Sequence, residues 1–184
     1  MKYILLFLTL VFCFLDLRSQ EGTVSLSGGY VLTNLREVRE NATGFRLNGT
    51  YEFMPEGSKV AQGFSICYFN TAASSTEDSQ TINYKLTHFP VCYAPKLYFG
   101  KKSSVKGFVK CSLGLHYSGY QATSPVKDYS SWDWGFYGGL SGGAMKSFGE
   151  SFIIFLEYEW AYLSNSYYRD GFVHSFMVGT GYKF

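Results

Sequence analysis

The carboxy-terminal ten residues, SFMVGTGYKF, mostly alternate between bulky apolar side chains and small or polar ones, and they end on an aromatic residue. Because successive side chains of a β-strand point to opposite faces, this pattern gives one strand two different surfaces. One face carries Phe176, Val178, Thr180, Tyr182 and Phe184. The other carries Ser175, Met177, Gly179, Gly181 and Lys183. The first face suits an apolar surrounding, and the second suits a narrow interior.

Alternation of this kind recurs along the chain in segments of ten or more residues that are separated by turn-forming residues. These segments are approximately residues 22–33, 43–54, 59–70, 81–99, 105–120, 132–145, 150–163 and 172–184. No later apolar stretch is long enough for a membrane helix, and no heptad pattern is present. The sequence therefore predicts an all-β protein of eight strands.

The connections between these segments alternate in length. Short connections rich in Gly, Ser or Pro lie at residues 55–58, 100–104 and 146–149. Longer polar connections lie at residues 34–42, 71–80, 121–131 and 164–171. Short turns on one rim and longer loops on the other are typical of antiparallel up-and-down β-barrels of the outer membrane, whose termini lie on the short-turn side. We therefore expect an eight-stranded transmembrane β-barrel located in the cell outer membrane.

Alternation alone does not say which face is inside, so a soluble lipocalin-like barrel is the alternative. The solvent face of such a barrel would carry many lysines and glutamates. Here charged residues make up only 16% of the chain, and the polar face is mainly Gly, Ser and Thr. The aromatic fraction of 20% supplies side chains near segment ends, as interfacial girdles require. A membrane barrel is favoured, and the net charge of +2 argues against nucleic-acid binding.

The amino-terminal segment has the outline of a secretory signal peptide. One lysine precedes an apolar run of about 13 residues, which is shorter than the roughly 20 that a spanning helix needs. We expect residues 1–20 to be the signal peptide and residues 21–184 to be the outer-membrane β-barrel domain.

Three parts of the chain carry a resemblance to a known family. From Thr87 the chain reads THFPVCYAPKLYFGKKSSVKGFVKCSLGLHYSG, and it closes with DWGFYGGLSGGAMKSFGESFIIFLEYEWAYLSN and HSFMVGTGYKF. These stretches resemble the small outer-membrane β-barrel proteins common in Bacteroidetes. The positions that match are Lys96, Tyr98, Phe99, Gly100, Gly114 and Tyr117, whereas Leu115 and His116 stand where further small residues are common. The resemblance implies a porin-like barrel in the cell envelope and no particular substrate.

Isolated charges on the polar faces would lie inside the barrel, where an unpaired charge is costly to desolvate. They are Arg46, Glu52, Lys96, Lys110, Glu157 and Glu159. We expect these six side chains to pair in a network that closes the lumen to bulk solvent. The alternative is the selectivity lining of a small porin that passes ions or small solutes. Because eight strands leave an interior just wide enough for side chains, the filled lumen is favoured.

Catalysis is a further alternative, in the form of an outer-leaflet lipid-modifying enzyme that uses Ser and His. His116 and Ser118 share an inward face, and Asp128 and Asp133 follow not far along the chain. No G-x-S-x-G motif is present, and no group of His, Cys and carboxylates has metal-ligand spacing. The sequence therefore predicts no enzyme, no cofactor and no metal site.

The longer loops carry the remaining functional candidates, since exposed loops on a rigid scaffold often bind partners. The residues expected to cluster at the outer rim are Tyr120, Tyr129, Trp132, Tyr167, Tyr168 and Arg169. The alternative is an interfacial girdle slightly above the bilayer, which is favoured for Trp132. Lipopolysaccharide, an external protein and an external glycan are the candidate ligands. Tyr182 and Phe184 at the carboxy-terminus are the expected signal for the barrel-insertion machinery. We expect a monomer surrounded by outer-membrane lipid.

Overall fold

The computed structural model describes residues 21–36, 41–77, 80–100, 105–125, 128–164 and 167–184, and these residues form antiparallel strands and turns. The strands are β1 (Glu21–Leu35), β2 (Asn41–Met54), β3 (Val60–Glu77), β4 (Gln80–Tyr93), β5 (Lys96–Phe99), β6 (Lys106–Thr123), β7 (Asp128–Phe148), β8 (Phe152–Leu163) and β9 (Tyr168–Lys183). Within these ranges no helix has the length and apolarity needed to cross a bilayer. The predicted signal peptide, residues 1–20, lies outside the described residues.

The strands form a closed ring of antiparallel pairs, because β9 pairs back with β1. Strands β4 and β5 share one position of this ring, since both pair with β3 on one side and with β6 on the other. Between them lies Pro95, which has no backbone N–H to donate to a ladder. The nine strands therefore fill eight positions, and the predicted eight-stranded antiparallel barrel is confirmed.

The two faces of the barrel wall differ as the alternation predicts. Along β8, exposed and buried residues alternate without exception from Phe152 to Leu163. The outward side chains are large and apolar, and some are more than 60% exposed, such as Leu156 and Trp134. Soluble monomers rarely expose a continuous apolar surface of this extent. The aromatic and aliphatic face therefore contacts lipid, and the lipocalin-like alternative does not fit the structure.

The hairpins on the outer rim are longer than predicted, and their loops are shorter. Residues 71–77 belong to β3 and pair with residues 80–86 of β4, although we predicted a loop from residue 71 to residue 80. Likewise, β6 continues to Thr123 and β7 begins at Asp128, within the predicted loop 121–131. The polar sequence of these segments suggested loops, yet Ser and Thr satisfy a ladder where the strands leave the bilayer. A transmembrane strand needs only about 9–11 residues, so these strands extend beyond the membrane.

The barrel interior is filled by two apolar layers with polar side chains between them. The layer toward the outer rim includes Phe69, Leu86 and Tyr137, and the layer toward the short turns consists of Phe108, Met145, Ile153 and Phe155. Glycines of the inward stripe make room for these rings: a Cβ at Gly143 would collide with Phe108, and one at Gly179 with Phe155. The small residues of the inner face therefore allow the lumen to be packed.

Candidate functional site

The six charged residues that the sequence places in the lumen are all buried there. Arg46 on β2 reaches across the barrel to β8, where its Nη2 lies 3.2 Å from Oε1 and 3.1 Å from Oε2 of Glu159. Its Nη1 donates to Oγ of Ser175 at 3.2 Å. The hydroxyl of Tyr137 donates to Glu159 as well. Glu159 is thus held by a cation and a phenol from two other strands.

Lys110 extends this network from β6 to β8. Its Nζ lies 2.5 Å from Oε1 of Glu157 and 3.9 Å from Oε2 of Glu159. Four of the six charges, two cations and two carboxylates, therefore form one connected group in the middle of the lumen. Since the group is fully desolvated, loss of one member would leave an uncompensated buried charge.

The other two charges form a separate pair nearer the short turns. Lys96 of β5 is ion-paired with Glu52 of β2, and the Tyr98 hydroxyl donates to the second oxygen of Glu52 at 2.5 Å. Nζ of Lys96 also lies 4.8 Å from the ring centroid of Phe108, within the range of a cation–π interaction. The structure therefore brings the six residues together as a four-membered group and a pair, not as one network.

The six aromatic-rim candidates divide between the rim and the lumen. Tyr129 and Trp132 are about half exposed, Trp132 stacks on Tyr117 with ring centroids 5.0 Å apart, and Arg169 is exposed. Tyr120 is buried and stacks on Tyr167 at 5.0 Å with nearly parallel rings. The Tyr120–Tyr167 stack therefore lies across the outer mouth, whereas the Trp132–Tyr117 stack continues to Trp134 on the outward face of the wall.

Tyr168 lies inside the barrel, contrary to its expected position at the outer rim. It is 1% exposed, and its hydroxyl is 2.6 Å from Nε2 of His88 and 3.1 Å from Oγ1 of Thr71. The His88 ring in turn stacks on Phe69 at 4.5 Å. The reason is an irregularity where β1 meets β9: Thr33 pairs with Val173 and Leu35 pairs with Tyr168, so β9 has extra residues between these two positions and its register changes just after Tyr168. Sequence periodicity carries no signal for such a bulge, so this cluster was missed.

The residues considered for catalysis do not form a catalytic pair. His116 and Ser118 are both fully buried in the barrel wall. Neither ring nitrogen of His116 has a hydrogen-bond partner among the described residues, and Oγ of Ser118 donates to the backbone oxygen of Asp133 at 3.4 Å. A nucleophile and its base must be within hydrogen-bonding reach of each other and of substrate. This geometry meets neither requirement.

The carboxy-terminal strand presents its aromatic residues to the exterior. Tyr182 is 58% exposed and Phe184 is 66% exposed. The backbone of Phe184 exchanges two hydrogen bonds with Gly22, of 3.0 and 3.1 Å. The two residues that we expect to act as an insertion signal therefore lie on the lipid face, beside the seam between the first and last strands.

The fold is shared with solved structures of small outer-membrane barrels. Neisserial surface protein A is 13% identical over 89% of this chain and 97% of its own, with a TM-score of 0.62. Ail of Yersinia pestis, solved with the heparin analogue sucrose octasulfate, is 22% identical over 89% and 99%, with a TM-score of 0.53. A major outer membrane protein of Thermus thermophilus is 11% identical over 88% and 99%, with a TM-score of 0.50.

No protein-family model matches this chain, and no curated protein does. The likenesses to solved structures show the fold, and they give no support to the narrower resemblance to Bacteroidetes proteins. Taken with the apolar exterior, the fold is that of a small β-barrel protein of the outer membrane.

Proposed function

We propose that this outer-membrane β-barrel is a closed scaffold whose role is structural or surface-interacting, exercised through its outer rim. The observation that carries the proposal is the filled lumen. The Arg46–Glu159 ion pair crosses the lumen from β2 to β8, and the Lys110–Glu157 pair joins β6 to β8 over β7. Both pairs lie between two layers of buried aromatic and aliphatic side chains. Because the lumen is filled in this way, the outer rim is the surface that external partners can contact.

The closed lumen argues against the first alternative function, a small porin. A pore needs a continuous water-filled path, whereas here the centre is occupied by paired charges that are at most 6% exposed. The burial of His116, whose ring nitrogens have no hydrogen-bond partner among the described residues, argues against a lipid-modifying enzyme. Both alternatives require groups that solute or substrate can reach.

The outer rim offers aromatic surface without an excess of positive charge. Tyr129 and Trp132 are exposed toward the outer end of β7. The exposed charged residues described on the outer hairpins balance in sign: Arg36, Lys85 and Arg169 against Asp128, Asp133 and Asp170. Rings of this kind can pack against the flat faces of sugars, while their polar edges remain in water. A neutral external glycan therefore fits the rim better than a polysulfated ligand of the type bound to Ail.

A binding experiment with rim variants tests this proposal. We expect the folded protein in uncharged detergent to bind a neutral oligosaccharide saturably in isothermal titration calorimetry. The double substitution Tyr129→Ala and Trp132→Ala removes two rings and should weaken binding at least about tenfold, or 1.4 kcal/mol. Tyr30→Ala is the matched control, because Tyr30 is 50% exposed on the wall away from the mouth. Equal loss in the control, or no binding by the unchanged protein, would contradict the glycan role.

A further inference from the structure

A cavity of about 210 Å³ opens at the short-turn end of the barrel, inside the ring of strands. Three lysines line it: Lys59 just before β3, Lys106 on β6 and Lys183 on β9. They come from well-separated positions of the ring and face one common space. In outer-membrane barrels the short-turn end faces the periplasm. We call this space the lysine vestibule.

The lysine vestibule carries an excess of positive charge. None of its three lysines has an ion-pair partner among the described residues. The carboxylate that lines the space, Glu52, is already engaged by Lys96 and by the Tyr98 hydroxyl. Glu56 and Glu150 belong to exposed turn regions of the same rim and do not line the cavity. Three ammonium groups therefore remain without a counter-charge from the vestibule wall.

The vestibule is closed toward the middle of the barrel. Phe108 lies one inward position deeper than Lys106 on β6, and it packs edge-on against Phe155 with ring centroids 6.3 Å apart. Both phenylalanines are buried, and the Lys96–Glu52 pair lies beside them. An ion that enters from the short-turn side therefore meets a closed floor. Rings of lysine select anions in phosphate pores, but here such a ring surrounds a blind cavity.

We propose that the lysine vestibule is a binding site for a small soluble anion bearing one or two phosphate groups, taken up from the periplasmic side. The volume corresponds to about seven water molecules at ~30 Å³ each, which suits a diphosphate and not a long chain. The hydroxyl of Thr23 also lines the space and can donate a hydrogen bond to a phosphate oxygen. The site is independent of the outer rim, so it stands whether or not the rim binds glycans.

Calorimetric titration of the full folded protein with inorganic pyrophosphate, in uncharged detergent, tests this site. We expect saturable binding of one pyrophosphate, weakened at least about tenfold by Lys106→Gln and by Lys183→Gln, since each removes one charge close to the ligand. Lys146→Gln is the matched control: Lys146 is an exposed lysine near the same rim, its Nζ lies over the Phe148 ring, and it does not line the cavity. Its affinity should be unchanged.

Three outcomes of the titration would overturn the proposal. They are the absence of saturable binding, equal weakening by Lys146→Gln, and loss of binding in Lys106→Arg, which keeps the charge and should keep the affinity. Heat-modifiable gel migration verifies that each variant is folded.

Native mass spectrometry with pyrophosphate and phosphatidylglycerol together distinguishes the source of the phosphate. A pyrophosphate adduct that the Lys106→Gln variant loses supports the site, whereas a lipid adduct lost in the same variant would assign the vestibule to a headgroup instead.

Discussion

At the scale of single residues, the stability of the barrel interior depends on charges that satisfy one another. Glu159 is fully buried and is contacted by Arg46, Lys110 and Tyr137. A buried ion pair contributes little net stability compared with an apolar pair of the same shape, but breaking it is expensive. An uncharged substitution at Glu159 should therefore lower the free energy of unfolding more than one at any of its partners.

We expect Glu159→Gln to lower the free energy of unfolding by about 3–5 kcal/mol, because Arg46 then keeps a buried charge with no carboxylate of equal reach. Urea unfolding of the protein in lipid vesicles, followed by tryptophan fluorescence, measures this change. Glu150→Gln, in an exposed turn, is the control and should change stability by less than about 0.5 kcal/mol.

A second substitution separates loss of the pair from loss of packing. Adding Arg46→Met to Glu159→Gln removes the orphaned cation, so we expect the double variant to be more stable than Glu159→Gln alone. If Glu159→Gln unfolds at the same urea concentration as Glu150→Gln, the ion pair is not the feature that holds this part of the lumen.

The sequence predicts which charged side chains point into the lumen, but it does not predict which residue each of them pairs with. Arg46 and Glu159 each lie inside a run of strict alternation, so a period of two assigns them to the inner face. Their pairing depends on the register of strands 113 residues apart, which no local pattern encodes. Tyr168 shows the limit, because one irregularity beside β1 was enough to turn it from the expected rim into the lumen.

At the scale of elements, the inner face of a strand needs small residues where a large side chain of a neighbouring strand fills the lumen. Strand β7 has adjacent glycines on its two faces: Gly143 lies against Phe108 and the backbone of Leu156, whereas a Cβ at Gly142 would meet nothing closer than a backbone oxygen at 3.8 Å. The same strand therefore has one glycine required by packing and one that is not.

We expect Gly143→Val to lower the free energy of unfolding by about 1–3 kcal/mol, because the added carbons overfill the layer that contains Phe108. Gly142→Val adds the same atoms to the lipid face and should have an effect below about 0.5 kcal/mol. Urea unfolding in vesicles compares the two variants directly. If Gly142→Val proves as costly as Gly143→Val, then strand propensity and not lumen packing explains the loss.

The strand positions could be predicted, whereas their ends could not. Apolar alternation stops where the lipid stops, so the pattern correctly located the membrane-crossing part of β3 and β4. Beyond that point β3 carries only small or polar side chains, so the sequence from Thr71 to Glu77 resembles a loop although it is paired with β4. Pro95 divides one barrel position into β4 and β5, because proline has no backbone N–H to donate to the ladder. Whether a proline interrupts a strand also depends on the strands beside it, which the sequence does not show.

At the scale of the whole molecule, the filled lumen determines what the barrel can transmit. The paired charges lie between apolar layers, so the route from one mouth to the other passes through buried side chains at every level. Such an interior has low compressibility and little room for mobile water.

We expect purified protein in a planar lipid bilayer to show no steady conductance on the nanosiemens scale, because no water-filled path crosses the ion-paired layer. The Gly143→Val variant should behave identically, since it adds volume to a lumen that is already closed. A stable conductance with defined ion selectivity would show that the interior rearranges in a membrane and would favour the porin alternative.

The seam between β1 and β9 has a consequence for assembly. Ser27 and Met177 contact each other across it although they are 150 residues apart. Contacts that distant form slowly, since a long loop must close first. Until the two strands meet, each presents an unpaired backbone edge that could capture another chain. Biogenesis of this molecule therefore depends on shielding those two edges until the last strand is in place, and the seam is where misassembly would begin.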